Sequence, residues 1–133
     1  MGNNARKQAA SKGVSVDLNR IFQIESSGNP RAYNTNSQAR GLGQITPIVL
    51  KEWNNMNPRE QYGPDHLFQP EVNQKIANWY MNQRIPQMLN AFGVPDTVDN
   101  RLISYNAGIG YVAKKKPIPQ ETINYLQKYR GAR

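Results

Sequence analysis

The first helix predicted for this 133-residue chain carries a carboxylate where an apolar residue belongs. Leu18, Ile21 and Phe22 recur at the spacing of one helix face, and Glu25 falls next on that stripe. Ser26-Ser27-Gly28-Asn29-Pro30 follows at once and stops the helix, which puts the carboxyl group at a helix end turned towards the core. Desolvation favours the protonated form of a carboxyl group. A protonated acid is the tool for protonating a leaving oxygen. On the stripe alone, the other reading is an ordinary last-turn Glu that reaches solvent.

The other side chains suited to a ligand lie near predicted loops. Gly41, Gly43, Gly108 and Gly110 flank helices, where a backbone approaches a ligand closely, takes a positive φ or caps a helix. Gln44 and Asn106 carry amides that both donate and accept, as sugar hydroxyl and N-acetyl groups require and as turns also use. Among Tyr33, Tyr62, Tyr105, Tyr111 and Tyr125, rings on which sugars stack, Tyr105 and Tyr125 are retained as site candidates. At least half of that set reads as core packing, as do Trp53 and Trp79.

Most glycosidases flank the scissile bond with two carboxyl groups. Here Asp17, Glu52, Glu60, Glu71, Asp96 and Asp99 fall at predicted helix starts, in a helix body or in loops without glycine amides, and Glu121 opens the last helix. The inventory points to a mechanism with one carboxylate, unless folding brings a second one near. There is no cysteine, and His66, in Pro64-Asp65-His66-Leu67, reads as a turn or helix-start residue. Disulfides, thiolate catalysis, Cys-ligated zinc, a His-rich metal site and a Ser-His-Asp triad relying on another His are thereby excluded.

Helices must position these groups. The first runs from an N-cap at about Ser15 to Ser26, and a turn-rich stretch spans Arg31 to Arg40. Thr46-Pro47 opens a helix towards Asn55, and Asn57 to Leu67 reads as loop. Pro70 opens the longest helix, with Val72, Ile76, Trp79 and Tyr80 on its apolar side. Pro86 kinks or ends it, with Met88 and Leu89 beyond. Asp96 caps a helix carrying Val98, Leu102, Ile103 and Tyr105 that ends at Gly108. Pro119 opens the last, with Ile123, Leu126 and Tyr129 on one face. No repeat, low-complexity tract or alternating strand run is present, so the expected class is all-α or strongly α-dominated.

Four segments then acquire meaning together. They are Glu25-Ser26-Ser27-Gly28-Asn29-Pro30-Arg31-Ala32 running on to Ala39-Arg40-Gly41-Leu42-Gly43-Gln44-Ile45-Thr46-Pro47; Leu67-Phe68-Gln69-Pro70-Glu71-Val72-Asn73 with Ala77, Trp79 and Tyr80; Ser104-Tyr105-Asn106-Ala107-Gly108-Ile109-Gly110; and Ile118-Pro119-Gln120-Glu121-Thr122 with Tyr125. In this order and spacing, from about Leu18 to Tyr129, they resemble the lytic transglycosylases of the SLT type, which have a goose-type lysozyme-like fold. Two positions depart from the family pattern: Gly43 stands where G-L-M-Q has Met, which is expected to open the cleft floor or loosen the backbone, and Ser104 replaces the usual Ala.

The resemblance implies a single lysozyme-like helical domain with a substrate cleft. It implies that Glu25 is the sole catalytic acid/base, with the hydroxyl of Tyr125 close to it. Ser26, Gly41, Leu42, Gln44, Tyr105, Asn106 and Ala107 are implied to meet the substrate. Glu25 would protonate the glycosidic oxygen between N-acetylmuramic acid and N-acetylglucosamine, with N-acetyl participation at C1. As a carboxylate it would then take the proton of the muramyl 6-hydroxyl, closing a 1,6-anhydro ring. Neither metal nor organic cofactor enters this scheme. A hydrolytic muramidase on the same fold and a non-catalytic wall-binding assembly module are the rival readings.

Charge narrows the partner. Lys and Arg outnumber Asp and Glu by 17 to 9, which favours peptidoglycan and anionic envelope polymers. Nucleic acid is not expected, because the basic residues lack an aromatic-interleaved pattern or a recognition helix. No apolar run approaches the roughly 18 residues of a membrane span. The N-terminal stretch has no apolar h-region, so the expected organisation is a flexible basic arm over 1–13 and a catalytic domain over 14–133. Action at the bacterial wall, in periplasm or envelope, would then need delivery by a phage particle, lysis or a secretion machine, or the chain would be an excised domain.

Overall fold

The computed structural model describes residues 13–131, so the expected arm lies outside the described residues apart from Gly13. The chain divides into two compact units, one over Asp17–Tyr80 and the other including 81–131. Among the described residues, β pairing is limited to isolated bridges from Arg40 to Tyr33 and to Ile45. The all-α expectation holds.

In the first unit, α1 spans Leu18–Ser26, and its N-cap is Asp17 rather than Ser15. The Asp17 carboxylate accepts the Asn19 N–H at 3.0 Å, supplying one of the donors that a helix start leaves unpaired. α2 spans Pro47–Met56 behind the N-cap Thr46. The stretch expected as plain loop contains a 3₁₀ turn, Pro64–Phe68, and α3 follows over Pro70–Trp79. Phe22, Leu42, Ile45, Val49, Leu50, Trp53, Leu67, Val72, Ile76 and Ala77 form the core of this unit. Trp53 is core as expected, and Trp79 meets it edge-on at 5.3 Å, partly buried.

The connection from α2 to α3 is pinned by its own polar groups. Trp53 Nε1 donates to the Glu60 carbonyl at 2.7 Å, and the Asn54 side chain both donates to and accepts from the Tyr62 backbone. The Glu60 carboxylate accepts from Lys75 and from the Tyr62 hydroxyl. These bonds, Lys75 first, hold the Glu60 carboxyl below its ordinary range, while Glu60 in turn raises both Tyr62 and Lys75. His66 sits in the 3₁₀ turn and accepts the Gly63 N–H at 2.8 Å. Glu60 and His66 thus have structural duties, as the sequence suggested.

α3 passes into a π-helical stretch, Tyr80–Arg84, and then into α4, Ile85–Ala91. Pro86 falls in the first turn of α4, where a missing N–H is tolerated. Met81, Ile85 and Leu89 are fully buried, whereas Trp79 and Tyr80, expected on the apolar side, are only half-buried. α5 spans Val98–Asn106, capped by Thr97 and not by Asp96. The Thr97 hydroxyl oxygen accepts the Asn100 N–H at 3.0 Å. Asp96 is committed elsewhere, to two bonds from the Arg101 guanidinium at 2.7 and 2.9 Å.

A short helix, α6, spans Ile109–Ala113 directly after Gly108, whose φ of 112° lies in the region that favours glycine. α7 spans Gln120–Tyr129, and α5 packs against both α6 and α7. On α7 the buried residues are Thr122, Tyr125 and Leu126, while Ile123 is 36% exposed. The expected face through Ile123 is therefore one residue out of phase, because Thr122 takes the buried place. Among the described residues, no helix is long and apolar enough to cross a membrane.

Candidate active site

Glu25 occupies the last turn of α1, one turn beyond the fully buried Ile21, and is itself half-buried. The helix ends sharply after it. Ser27 takes a left-handed φ of 56°, Gly28 one of 75°, and their N–H groups return to the Gln23 and Phe22 carbonyls at 3.0 and 3.2 Å. The Ser26 hydroxyl donates to the Phe22 carbonyl at 3.0 Å, so it serves the helix end. Asn29 accepts the Arg31 N–H at 2.9 Å, turning the chain towards Ala32.

The segment from Ala39 to Ile45 folds back as a tight loop. Arg40 and Ile45 exchange backbone bonds at 3.0 and 3.1 Å, and Gly41 N–H donates to the Ala32 carbonyl at 2.8 Å. Gly41 is buried with a φ of 78°, and a Cβ there would collide with the Leu67 carbonyl oxygen and Asn73 Nδ2. Leu42 is 8% exposed and belongs to the core, so what it offers a ligand is chiefly backbone. Gln44, at a φ of 52°, donates its side-chain amide to the Gly41 and Ala32 carbonyls at 3.0 and 3.3 Å. The amide thus works as a turn-former.

Gly43 is buried, and its N–H donates to Asn73 Oδ1 at 2.8 Å. The backbone at this departure from the family pattern is therefore anchored. Asn73 was part of the second sequence segment with no role attached to it. Its signal was available: it shares a face of α3 with Ile76 and Ala77, a polar residue on a buried stripe just as Glu25 is.

In the second unit, Asn106 is the last residue of α5, and its Oδ1 accepts the Thr122 hydroxyl of α7 at 2.8 Å. Tyr125 lies on the same face of α7 as Thr122 and is 5% exposed. Tyr105 and Ala107, either side of Asn106, are half-buried. Ser104 is 1% exposed and donates to the Asn100 carbonyl at 2.8 Å, which satisfies the hydroxyl introduced where the family carries Ala. Glu25, Ser26, Gly41, Leu42 and Gln44 thus belong to one unit, and Tyr105, Asn106, Ala107 and Tyr125 to the other.

The family model for the transglycosylase SLT domain matches residues 3–127. The chain belongs to the transglycosylase SLT domain family. Among solved structures, the SLT chain is similar to the 70 kDa soluble lytic transglycosylase from Escherichia coli, at 25% identity and a TM-score of 0.70. The match covers 95% of this chain and 22% of that one, so this SLT domain spans about a fifth of the larger enzyme's length. No curated protein sequence matches it. With this likeness the fold is the all-α, lysozyme-like SLT fold.

Proposed function

We propose that the protein is a peptidoglycan lytic transglycosylase. It would cleave the β-1,4 bond between N-acetylmuramic acid and N-acetylglucosamine and leave 1,6-anhydromuramic ends, with Glu25 as its acid and base. One observation carries the reading: in a chain of this family, a carboxylate stands half-buried at the end of α1, one turn beyond Ile21. In its protonated form this carboxyl group is the donor that the first proton transfer needs. After bond cleavage the same group, now a carboxylate, removes the proton from the muramyl 6-hydroxyl. No protein nucleophile is required, because the neighbouring N-acetyl oxygen can stabilise charge at C1. Both half-reactions use one proton on one carboxyl group, so the enzyme returns to its starting state.

In this proposal Ser26, Gly41, Leu42 and Gln44 line the glycan site from the Glu25 unit. Their support is a loop whose backbone is fixed by buried hydrogen bonds. Tyr105, Asn106 and Ala107 are proposed as further glycan contacts, and Tyr125 as a second catalytic residue. The substrate would be peptidoglycan strands, reached at the bacterial wall.

The test is digestion of purified peptidoglycan with the wild type and with Glu25→Gln, followed by mass spectrometry of the released muropeptides. The expected products are one water lighter than hydrolytic ones, carry anhydromuramic ends, and are absent with the variant. Reducing ends would instead identify a hydrolytic muramidase. Binding without release by either protein would identify a wall-binding module.

A further inference from the structure

We propose that Asn73 is a positioning residue: its single carboxamide sets the backbone of the glycan-facing loop, and the loop in turn sets the segment that follows Glu25. The proposal rests on the function proposed above. Asn73 lies on α3 and is 0% exposed. Its Oδ1 accepts from Gly43 N–H at 2.8 Å, thirty residues earlier in the chain. Its Nδ2 donates to the carbonyls of Arg40 and Leu67 at 2.8 and 2.9 Å. One acceptor and two donors on a short side chain are what this place demands. Aspartate supplies the acceptor without the two donors, leucine supplies neither, and glutamine is a methylene too long.

The loop comes this close only because residue 41 has no Cβ. A Cβ there would meet Leu67 O and Asn73 Nδ2, and the φ of 78° favours glycine independently. From Gly41 the chain of bonds continues. Gly41 N–H and Gln44 Nε2 both end on the Ala32 carbonyl, at 2.8 and 3.3 Å, seven residues after Glu25. Asn73 therefore reaches the site without touching the glycan.

Two variants test this. Asn73→Asp keeps the size and the acceptor but loses both donors, and Asn73→Ala loses all three bonds. Amide hydrogen exchange is followed at Gly41 and Gly43, and steady-state kinetics on soluble, peptide-free peptidoglycan glycan strands are measured well below each variant's melting temperature. The expected result is at least tenfold faster exchange at both glycines in Asn73→Ala and at Gly41 in Asn73→Asp, unchanged exchange in α5, and a KM at least fivefold higher. A residue needed only for stability would lower the folded fraction and the apparent kcat, leaving KM in place.

Unchanged exchange at Gly41 and Gly43 overturns the proposal. Faster exchange with an unchanged KM, against an active wild type, overturns it too. If Asn73→Ala does not fold, Asn73→Asp decides alone. If the wild type neither binds nor cleaves the strands while both substitutions release the Gly41 amide, the hold of Asn73 on the loop stands and the proposed function falls.

Discussion

Thr122 stands one turn before Tyr125 on α7, and its hydroxyl is the donor that the structure gives to Asn106 Oδ1. Thr122→Val keeps the shape and removes the donor, leaving that oxygen without the bond in a part-buried place. The expected cost is about 1–3 kcal/mol by urea denaturation. If Asn106 contacts the glycan as proposed, turnover of peptidoglycan falls several-fold more than the folded fraction does. Unaltered turnover would separate Asn106 from the reaction. Glu25, Asn73 and Thr122 share one property that a sequence can display: each is polar and lies on a stripe of buried neighbours. Glu25 was legible because a helix stop and a glycine-rich segment follow it. Asn73 and Thr122 were harder to read, since their partners lie thirty and sixteen residues away and no helix stop with a glycine-rich segment follows to single them out. The amide of Gln44 was legible as a ligand contact or a turn-former, and only the loop geometry shows the second role.

Helix positions were read more accurately than helix ends. Proline at the first helical position located α2 and α3 because its fixed φ and absent N–H suit that place. The start of α5 was misplaced by one residue because two capping side chains, Asp96 and Thr97, stand together, and only the fold reveals that Arg101 claims the aspartate. α6 was given no helix of its own in the sequence, since five residues bounded by Gly108 carry too little periodicity to declare one. Arg101 has further weight, for its side chain is 3% exposed and also donates to Asn82 Oδ1 at 2.8 Å. It thereby joins the segment before α5 to the π-helical stretch. Arg101→Leu is expected to cost about 3 kcal/mol, the low end for breaking a buried pair, because water can still reach the Asp96 carboxylate, whose side chain is 20% exposed. Urea unfolding would show this as a lower midpoint, and adding Asp96→Asn to the variant should restore part of it. A midpoint equal to the wild type would mean the pair contributes nothing.

At the scale of the molecule, the excess of basic residues over acidic ones is the property that needs no particular fold. Surface charges act over about 10 Å at 0.1 M salt and over less as salt rises. If the substrate is an anionic wall polymer, co-sedimentation with purified sacculi should weaken steadily with added salt. Binding of an uncharged glycan fragment should change little. Salt-independent binding to sacculi would remove charge from the account of recognition. The family and its lysozyme-like fold were legible through four separated motifs, and the match along residues 3–127 is the same signal spread over nearly the whole chain. The π-helical stretch at Tyr80–Arg84 bears on how such chains are compared. Buried positions run 73, 77, 81, 85 and 89, an unbroken stride of four through it. One residue in an α-helix is worth about 100° of rotation. Four residues overshoot a full turn by about 40°, and the wider π turn takes part of that drift back, so a relative one residue shorter here would show one stride of three among its fours. An alignment drawn straight through this segment would pair inward residues of one chain with outward residues of the other.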